Sequence, residues 1–107
     1  MDITEKSIEL IQLYDIYQNL LTEKQREYFE SYYYDDLSIT EISENRNVSR
    51  NAVHDQIKKT AIKLNDLENK LKVKFLSLRR NEIYVKIKTE NNKEKINLLV
   101  EELEKVE

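Results

Sequence analysis

Apolar residues in the first part of the chain recur at the three- and four-residue spacing of helices that bury one side. A first helix is predicted from about Thr4 to Leu21, and two sets of residues could form its buried side. These sets are Ile8, Ile11 and Tyr14, or Leu10, Leu13 and Tyr17. Residues 22–25 (TEKQ) and 38–41 (SITE) then match the capping box, a pattern that begins a helix. The first part of the chain is therefore predicted to consist of short helices.

After Ser49 the apolar positions form one long stripe. Its spacing alternates between three and four residues, close to a heptad repeat, which predicts a single continuous helix. The stripe contains Val53, Ile57, Thr60, Leu64, Leu67, Leu71, Phe75 and Leu78. Such a helix must bury its stripe against a partner chain or against a last helix, which is predicted over Lys93–Val106. Residues 83–88 (IYVKIK) alternate like a β-strand, but a lone strand has nothing to pair with, so they are predicted to be helical.

The composition of the 107 residues favours an all-α fold. The chain contains no Gly and no Pro. Turns that need a positive φ must then fall to Asn or Asp, hairpins become hard to build, and nothing forces a helix to stop. We expect a helix-turn-helix module over residues 1–65, followed by a helical extension over residues 66–107 that serves for self-association.

The stretch from Ser38 to Thr60 carries the pattern of the helix-turn-helix itself. Two short helices need a small apolar core between them, a turn residue that tolerates left-handed backbone, and a cap on the second helix. Asn47 is placed to make the turn, and Ser49 to cap the second helix, whose first amides can then face a phosphate. The core is expected from Ile39, Ile42, Val48, Val53 and Ile57.

The outer face of the second helix supplies the candidate nucleic-acid-binding residues. Asn, Arg and His side chains can read base edges, and lysines can contact phosphates. The candidates are Ser49, Arg50, Asn51, His54, Lys58 and Lys59. Asp55 lies in the middle of the same face, where its carboxylate repels phosphate. The motif is therefore a stronger sign of fold than of DNA reading.

Charge is unevenly distributed along this chain of net charge −3. Residues 1–45 hold 11 acidic and 3 basic side chains, a net of −8, whereas residues 46–88 hold 12 basic and 4 acidic side chains, a net of +8. Residues 89–107 hold 6 acidic and 3 basic side chains, a net of −3. The basic middle could steer a polyanion, or it could be a solvated face that neutralises the acidic N-terminal part.

Several functional classes are disfavoured. With no Cys and one His, the chain has no disulfide, thiolate or usual zinc site, and with no Gly it has no phosphate-binding glycine loop. We therefore expect no enzyme and no cofactor. No apolar run approaches the roughly 18 residues that cross a membrane, and no signal-peptide pattern is present. A cytoplasmic protein without membrane insertion is expected.

The residues LLTEKQREYFESYYYDDLSITEIS, followed by NVSRNAVHDQIKKT, resemble the YlxM family of small bacterial proteins. That family is similar to region 4 of sigma factors, which reads promoters, within the winged-helix-type superfamily. Ser43 stands where the family usually has Ala. The resemblance implies a link to the signal recognition particle, because the family's genes lie beside those of the particle's GTPase and its receptor.

Two functions remain open at this point. The first is a regulator that binds DNA or RNA through the residues named above. The second is a protein-interaction factor of the signal recognition particle machinery, which keeps the helix-turn-helix only as a scaffold. A homodimer would bury the stripe from Leu64 to Leu78 and bring two recognition helices together, as palindromic DNA sites require.

Overall fold

The computed structural model describes residues 5–106, and every regular element among them is helical. The α-helices are α1 (Glu5–Tyr17), α2 (Glu23–Tyr33), α3 (Ile39–Arg46), α4 (Arg50–Leu71), α5 (Val73–Thr89) and α6 (Lys93–Glu104). One turn of 3₁₀ helix, Gln18–Leu20, follows α1. The all-α prediction is confirmed, and residues 83–88 are helical as expected. The predicted start at Thr4 lies outside the described residues.

The chain divides into two compact units between Lys70 and Leu71. The first unit holds α1, α2, α3 and nearly all of α4. The second unit holds α5 and α6, which pack against each other. The functional boundary expected after residue 65 stays a prediction.

The helix ends follow the local chemistry of the sequence. Thr22 Oγ1 accepts from the backbone N–H of Gln25 at 3.1 Å, and the Gln25 side chain accepts from the N–H of Thr22 at 2.9 Å. Ser38 and Glu41 make the same reciprocal pair at 3.1 and 3.2 Å. Both predicted capping boxes are therefore confirmed. Each supplies partners for backbone N–H groups that a helix start otherwise leaves unsatisfied.

One hydrophobic cluster joins α1, α2 and α4 in the first unit. Tyr14 of α1 stacks on Phe29 of α2 with ring centroids 4.4 Å apart. Tyr17 also donates its hydroxyl to Glu68 Oε1 of α4 at 2.6 Å. The buried members are Leu10, Leu13, Tyr14, Tyr17, Leu21, Phe29 and Leu64. Of the two possible sets on α1, the Leu10, Leu13, Tyr17 set is the buried one, joined by Tyr14, and Ile8 is exposed.

A second cluster lies beneath the helix-turn-helix. Its buried members are Tyr28, Ile42, Val53 and Ile57, and Ile39 is partly buried against them. Val48, which was expected in this core, is instead 38% exposed. Its backbone N–H donates to the Ser43 carbonyl at 3.0 Å, closing the turn. Aromatic side chains of α2 complete the core without Val48.

The three consecutive tyrosines at the end of α2 differ in their surroundings. Tyr32 and Tyr33 are partly buried and pack against the second cluster, whereas Tyr34 is exposed and donates its hydroxyl to Asp15 Oδ1 at 2.9 Å. Tyr34 is still partly desolvated, and this partial burial, followed by the hydrogen bond and the Asp15 charge, raises its pKa to about 12. Burial and the Glu30 carboxylate likewise raise the pKa of Tyr14 to about 12.

The prediction of one continuous helix after Ser49 is wrong. α4 ends at Leu71, Lys72 adopts left-handed backbone with φ 54° and ψ 31°, and α5 begins at Val73. The apolar stripe also changes character along its length. Thr60 and Leu64 are fully buried, whereas Leu71 and Leu78 are about half exposed. The Leu64 end is thus buried within its own unit and offers nothing to a partner chain.

Candidate nucleic-acid interface

The turn between α3 and α4 is built by two polar residues. Asn47 caps α3 in left-handed backbone with φ 54° and ψ 47°, as the sequence predicted in the absence of Gly. Ser49 Oγ then accepts from the backbone N–H of Ala52 at 3.0 Å, which confirms the predicted cap of α4. The first amides of α4 lie at a helix N-terminus and carry its partial positive charge.

The two sides of α4 differ sharply in burial. The inward side consists of buried residues, each at most 8% exposed: Val53, Ile57, Thr60 and Leu64. Thr60 satisfies its buried hydroxyl by donating to the Gln56 carbonyl at 2.8 Å. All six candidate residues of the sequence analysis are exposed, and they are Ser49, Arg50, Asn51, His54, Lys58 and Lys59.

The exposed residues fall into rows set by helical spacing. Asn51, Asp55 and Lys58 follow one another at steps of four and three residues, so they share one row. Arg50 and His54 form the neighbouring row. The structure therefore brings the Asn51 amide, the Asp55 carboxylate and the Lys58 ammonium group together along the outermost row of α4.

Asp55 is paired on this face. Its Oδ2 lies 3.0 Å from Lys59 Nζ, with the two side chains 56% and 63% exposed. An exposed pair one turn apart on a helix contributes about 0.3–0.5 kcal/mol. The carboxylate that opposes phosphate binding thus has a local counter-charge, and Lys59 is engaged with it. The four-residue spacing from Asp55 to Lys59 is visible in the sequence and could have indicated the pair.

Arg46, the first basic residue of the segment 46–88, packs against α2. Its Nη1 lies 2.8 Å from Glu27 Oε2, and its guanidinium carbon lies 4.9 Å from the centre of the Tyr28 ring. Both contacts tie the end of α3 to α2. No local sequence signal marks them, because the partners are 18 and 19 positions away. Arg46 is therefore a packing residue of the motif.

Within residues 5–106, no group of three or more His, Asp or Glu side chains is arranged to hold a metal ion. The same part of the chain contains no helix that is both long and apolar enough to span a membrane.

Comparison with known proteins gives a consistent result. Residues 4–105 match the family model described as "UPF0122: Putative helix-turn-helix protein, YlxM / p13 like". A UPF0122 protein of Malacoplasma penetrans is 46% identical over 91 residues, covering 85% of this chain and 81% of that protein. One of Anoxybacillus flavithermus is 44% identical and covers 96% of this chain and 98% of its own length. A third, from Fusobacterium nucleatum, is 40% identical, with 94% and 98% covered.

Proposed function

Because the chain belongs to the UPF0122 family of YlxM/p13-like helix-turn-helix proteins, we propose that it is a regulatory protein that binds nucleic acid through α4. The observation that supports this most is the division of α4 into a fully buried inner side and an outer side of exposed polar residues. A helix that presents its first turns in this way can enter a groove while the helix before it supports its position.

In this proposal the exposed residues have different tasks. Arg50, Asn51 and His54 contact base edges, because their side chains offer donors and acceptors that bases can match. Lys58 contacts a phosphate, and Lys59 is a second candidate whose pairing with Asp55 restrains it in the wild type. Ser49 contributes by capping α4, which leaves the amides of the first turn facing a phosphate oxygen.

The proposal also covers the cellular pathway, the location and the self-association of the protein. The YlxM resemblance supports a role in the signal recognition particle pathway of protein targeting, and with it a cytoplasmic location. We also expect no catalytic activity. Self-association would bring two copies of α4 to adjacent half-sites. Each of these points is a separate prediction and needs a test of its own.

Fluorescence anisotropy at two salt concentrations tests the nucleic-acid proposal. The probes are labelled duplex DNA from the protein's own operon and the signal recognition particle RNA. Wild type is expected to bind one of them, with an affinity that falls steeply as salt rises, because each phosphate contact releases counterions. The double variant Arg50→Ala, Lys58→Ala is expected to lose that binding.

A matched control separates the α4 face from overall charge. Lys24→Ala with Lys105→Ala removes the same two charges from exposed positions outside the candidate face. This control should bind as wild type does. If neither probe binds wild type, or if both double variants bind equally, the proposal for α4 is wrong.

The alternative is a protein-interaction factor of the signal recognition particle machinery. Asp55 favours it, because a carboxylate in the outer row of α4 is unfavourable beside phosphates. Under this alternative, the purified GTPase of the particle or its receptor binds wild type and the Arg50→Ala, Lys58→Ala variant with equal affinity. Loss of that binding in the variant would count against a scaffold-only α4.

A further inference from the structure

The second unit exposes much of its apolar surface. It is shorter than the roughly 40 residues below which a fold usually needs disulfides, metals or oligomerisation to be stable. The chain has no cysteine, and the described residues of this unit contain one fully buried large hydrophobic side chain, Ile83. Large hydrophobics that are exposed here include Val73, Leu78, Tyr84, Val85, Leu98 and Val100.

α5 carries apolar residues on more than one side. Ile83 is buried, and Leu76, two turns before it, and Ile87, one turn after it, are half-buried on the same side. Leu78 and Val85 lie on the opposite side of the same helix and are 54% and 61% exposed. A helix that is apolar on several sides is normally covered on several sides.

α6 also carries a row of exposed residues, and its net charge is opposite in sign to that of α5. Glu94, Leu98 and Glu101 follow at steps of four and three residues, and Leu98 is 64% exposed. α5 holds five basic residues and one acidic residue, a net of +4, whereas α6 holds four acidic and two basic residues, a net of −2. Leu98 also borders a groove of about 370 Å³ between the two helices, with Lys86 and Leu99 in its walls.

We propose that the α5–α6 pair of one copy packs on the α5–α6 pair of a second copy, with the outward side of each α5 against the outward side of the partner's α6. Two helical hairpins then form a four-helix bundle, which is a stable solution for helices with apolar stripes. The inference rests on the self-association part of the proposed function and names its surface. This surface replaces the Leu64–Leu78 stripe as the expected dimer interface, because the Leu64 end of that stripe is buried within the first unit.

Charge and symmetry decide the pairing within this bundle. Packing α5 on α5 would bring two positive helices together, and packing α6 on α6 would bring two negative ones together. Placing α5 against the partner's α6 joins opposite charges at both contacts, and a two-fold axis makes the two contacts equivalent. Leu78 and Val85 then meet the Leu98 side of the partner, where the groove can receive an aliphatic side chain.

Charge reversal with rescue tests the pairing, using sedimentation equilibrium of the full chain. One variant carries Lys74→Glu and Lys88→Glu, which lie in the Leu78–Val85 row of α5, and the other carries Glu94→Lys and Glu101→Lys on α6. Each variant alone is expected to associate about tenfold or more weakly than wild type, because like charges now face each other. An equimolar mixture of the two is expected to regain association, because both helix contacts of the mixed dimer again join opposite charges.

Controls separate the interface from folding. The ion pair between Arg79 and Glu102, 3.2 Å long and internal to the hairpin, is left intact in both variants. Lys24→Glu with Lys63→Glu makes the same charge change in the first unit and should associate as wild type does. Circular dichroism should show native helix content in every variant. Rescue by mixing is a second control on folding, because mixing cannot remove repulsion within one chain.

Three outcomes would overturn the proposal. If wild type dimerises and both reversed variants dimerise equally well, the interface lies elsewhere and only self-association stands. If the α5 variant dimerises more tightly than wild type, α5 faces α5. If wild type is a monomer at tens of micromolar, both the interface and self-association are wrong, whereas nucleic-acid binding through α4 is unaffected.

Discussion

Lys59 holds Asp55 on the outer face of α4, with 3.0 Å between Nζ and Oδ2. The pair places one carboxylate among the residues proposed to contact nucleic acid and engages one of the lysines. Asp55→Asn is therefore expected to bind nucleic acid about three- to tenfold more tightly at low salt. Its plot of log affinity against log salt should steepen by about one unit, because Lys59 becomes available to a phosphate.

α4 contains its own control for this prediction. Asp66 and Lys70 form the same kind of pair, also at 3.0 Å and four residues apart, beyond the candidate face. Asp66→Asn makes the same charge change and should leave affinity and salt dependence close to those of wild type. Equal tightening by both substitutions would show that net charge matters and that the position of Asp55 does not.

Asn47 determines how the motif turns, because its backbone is left-handed. Asn47→Gly should leave the free energy of unfolding within a few tenths of a kcal/mol of wild type. Asn47→Ala should lower it by about 1–2 kcal/mol, since a Cβ without a compensating polar group is unfavourable in this conformation. Urea unfolding followed by circular dichroism measures both, and equal stability of the two variants would contradict the turn described here.

Tyr14 and Tyr34 provide a matched pair of hydroxyl deletions. The buried hydroxyl of Tyr14 makes no hydrogen bond of good geometry among the described residues, although the Glu30 carboxylate is close enough to raise its pKa, whereas the hydroxyl of Tyr34 donates to Asp15 at 2.9 Å. Tyr14→Phe should leave the free energy of unfolding unchanged or raise it by up to about 1 kcal/mol. Tyr34→Phe should lower it by about 0.5–1 kcal/mol. The reverse order in urea unfolding would mean that Tyr14 has a partner in solution.

The same two tyrosines predict alkaline sensitivity. Their pKa values of about 12 lie above the ordinary value of 10.0, so the folded state holds these protons more tightly than the unfolded chain does. Their contribution to stability is present below about pH 10 and is lost as the pH rises towards 12. Burial raises the pKa of Tyr33 in the same direction.

Absorbance of tyrosinate, recorded together with circular dichroism, measures this effect. The hydroxyls of Tyr14 and Tyr34 should ionise near pH 12, above the ordinary tyrosine pKa of 10.0. The Tyr14→Phe, Tyr34→Phe double variant should lose less stability between pH 10 and 12. Ionisation of all tyrosines together near pH 10 in a folded protein would contradict the pKa values given above.

The features that the sequence predicted correctly are mainly local. The capping boxes at Thr22 and Ser38, the Ser49 cap and the left-handed Asn47 each depend on a few neighbouring residues, so short patterns were sufficient. The Arg46–Glu27 contact was not predictable in this way, because it joins residues from two helices whose packing had first to be known.

The break at Lys72 escaped prediction for a different reason. Lysine is a good helix former, and the apolar spacing continues through residues 71–75 without interruption, so no local residue marks the end of α4. Periodicity shows which side of a helix is apolar, but it does not show whether the helix continues. The exposure of Val48 was also not predictable from local sequence, because aromatic residues of α2 fill the space in which Val48 was expected to be buried.

NMR spectroscopy shows residue by residue whether the outer face of α4 contacts nucleic acid. Amide chemical shifts of the ¹⁵N-labelled chain would be recorded during addition of duplex DNA from the protein's own operon and, separately, of the signal recognition particle RNA. One of the two nucleic acids is expected to shift the amides from Ser49 to Lys59 far more than those of α1 or α6. Shifts concentrated in other helices, or no shifts with either nucleic acid, would contradict this expectation.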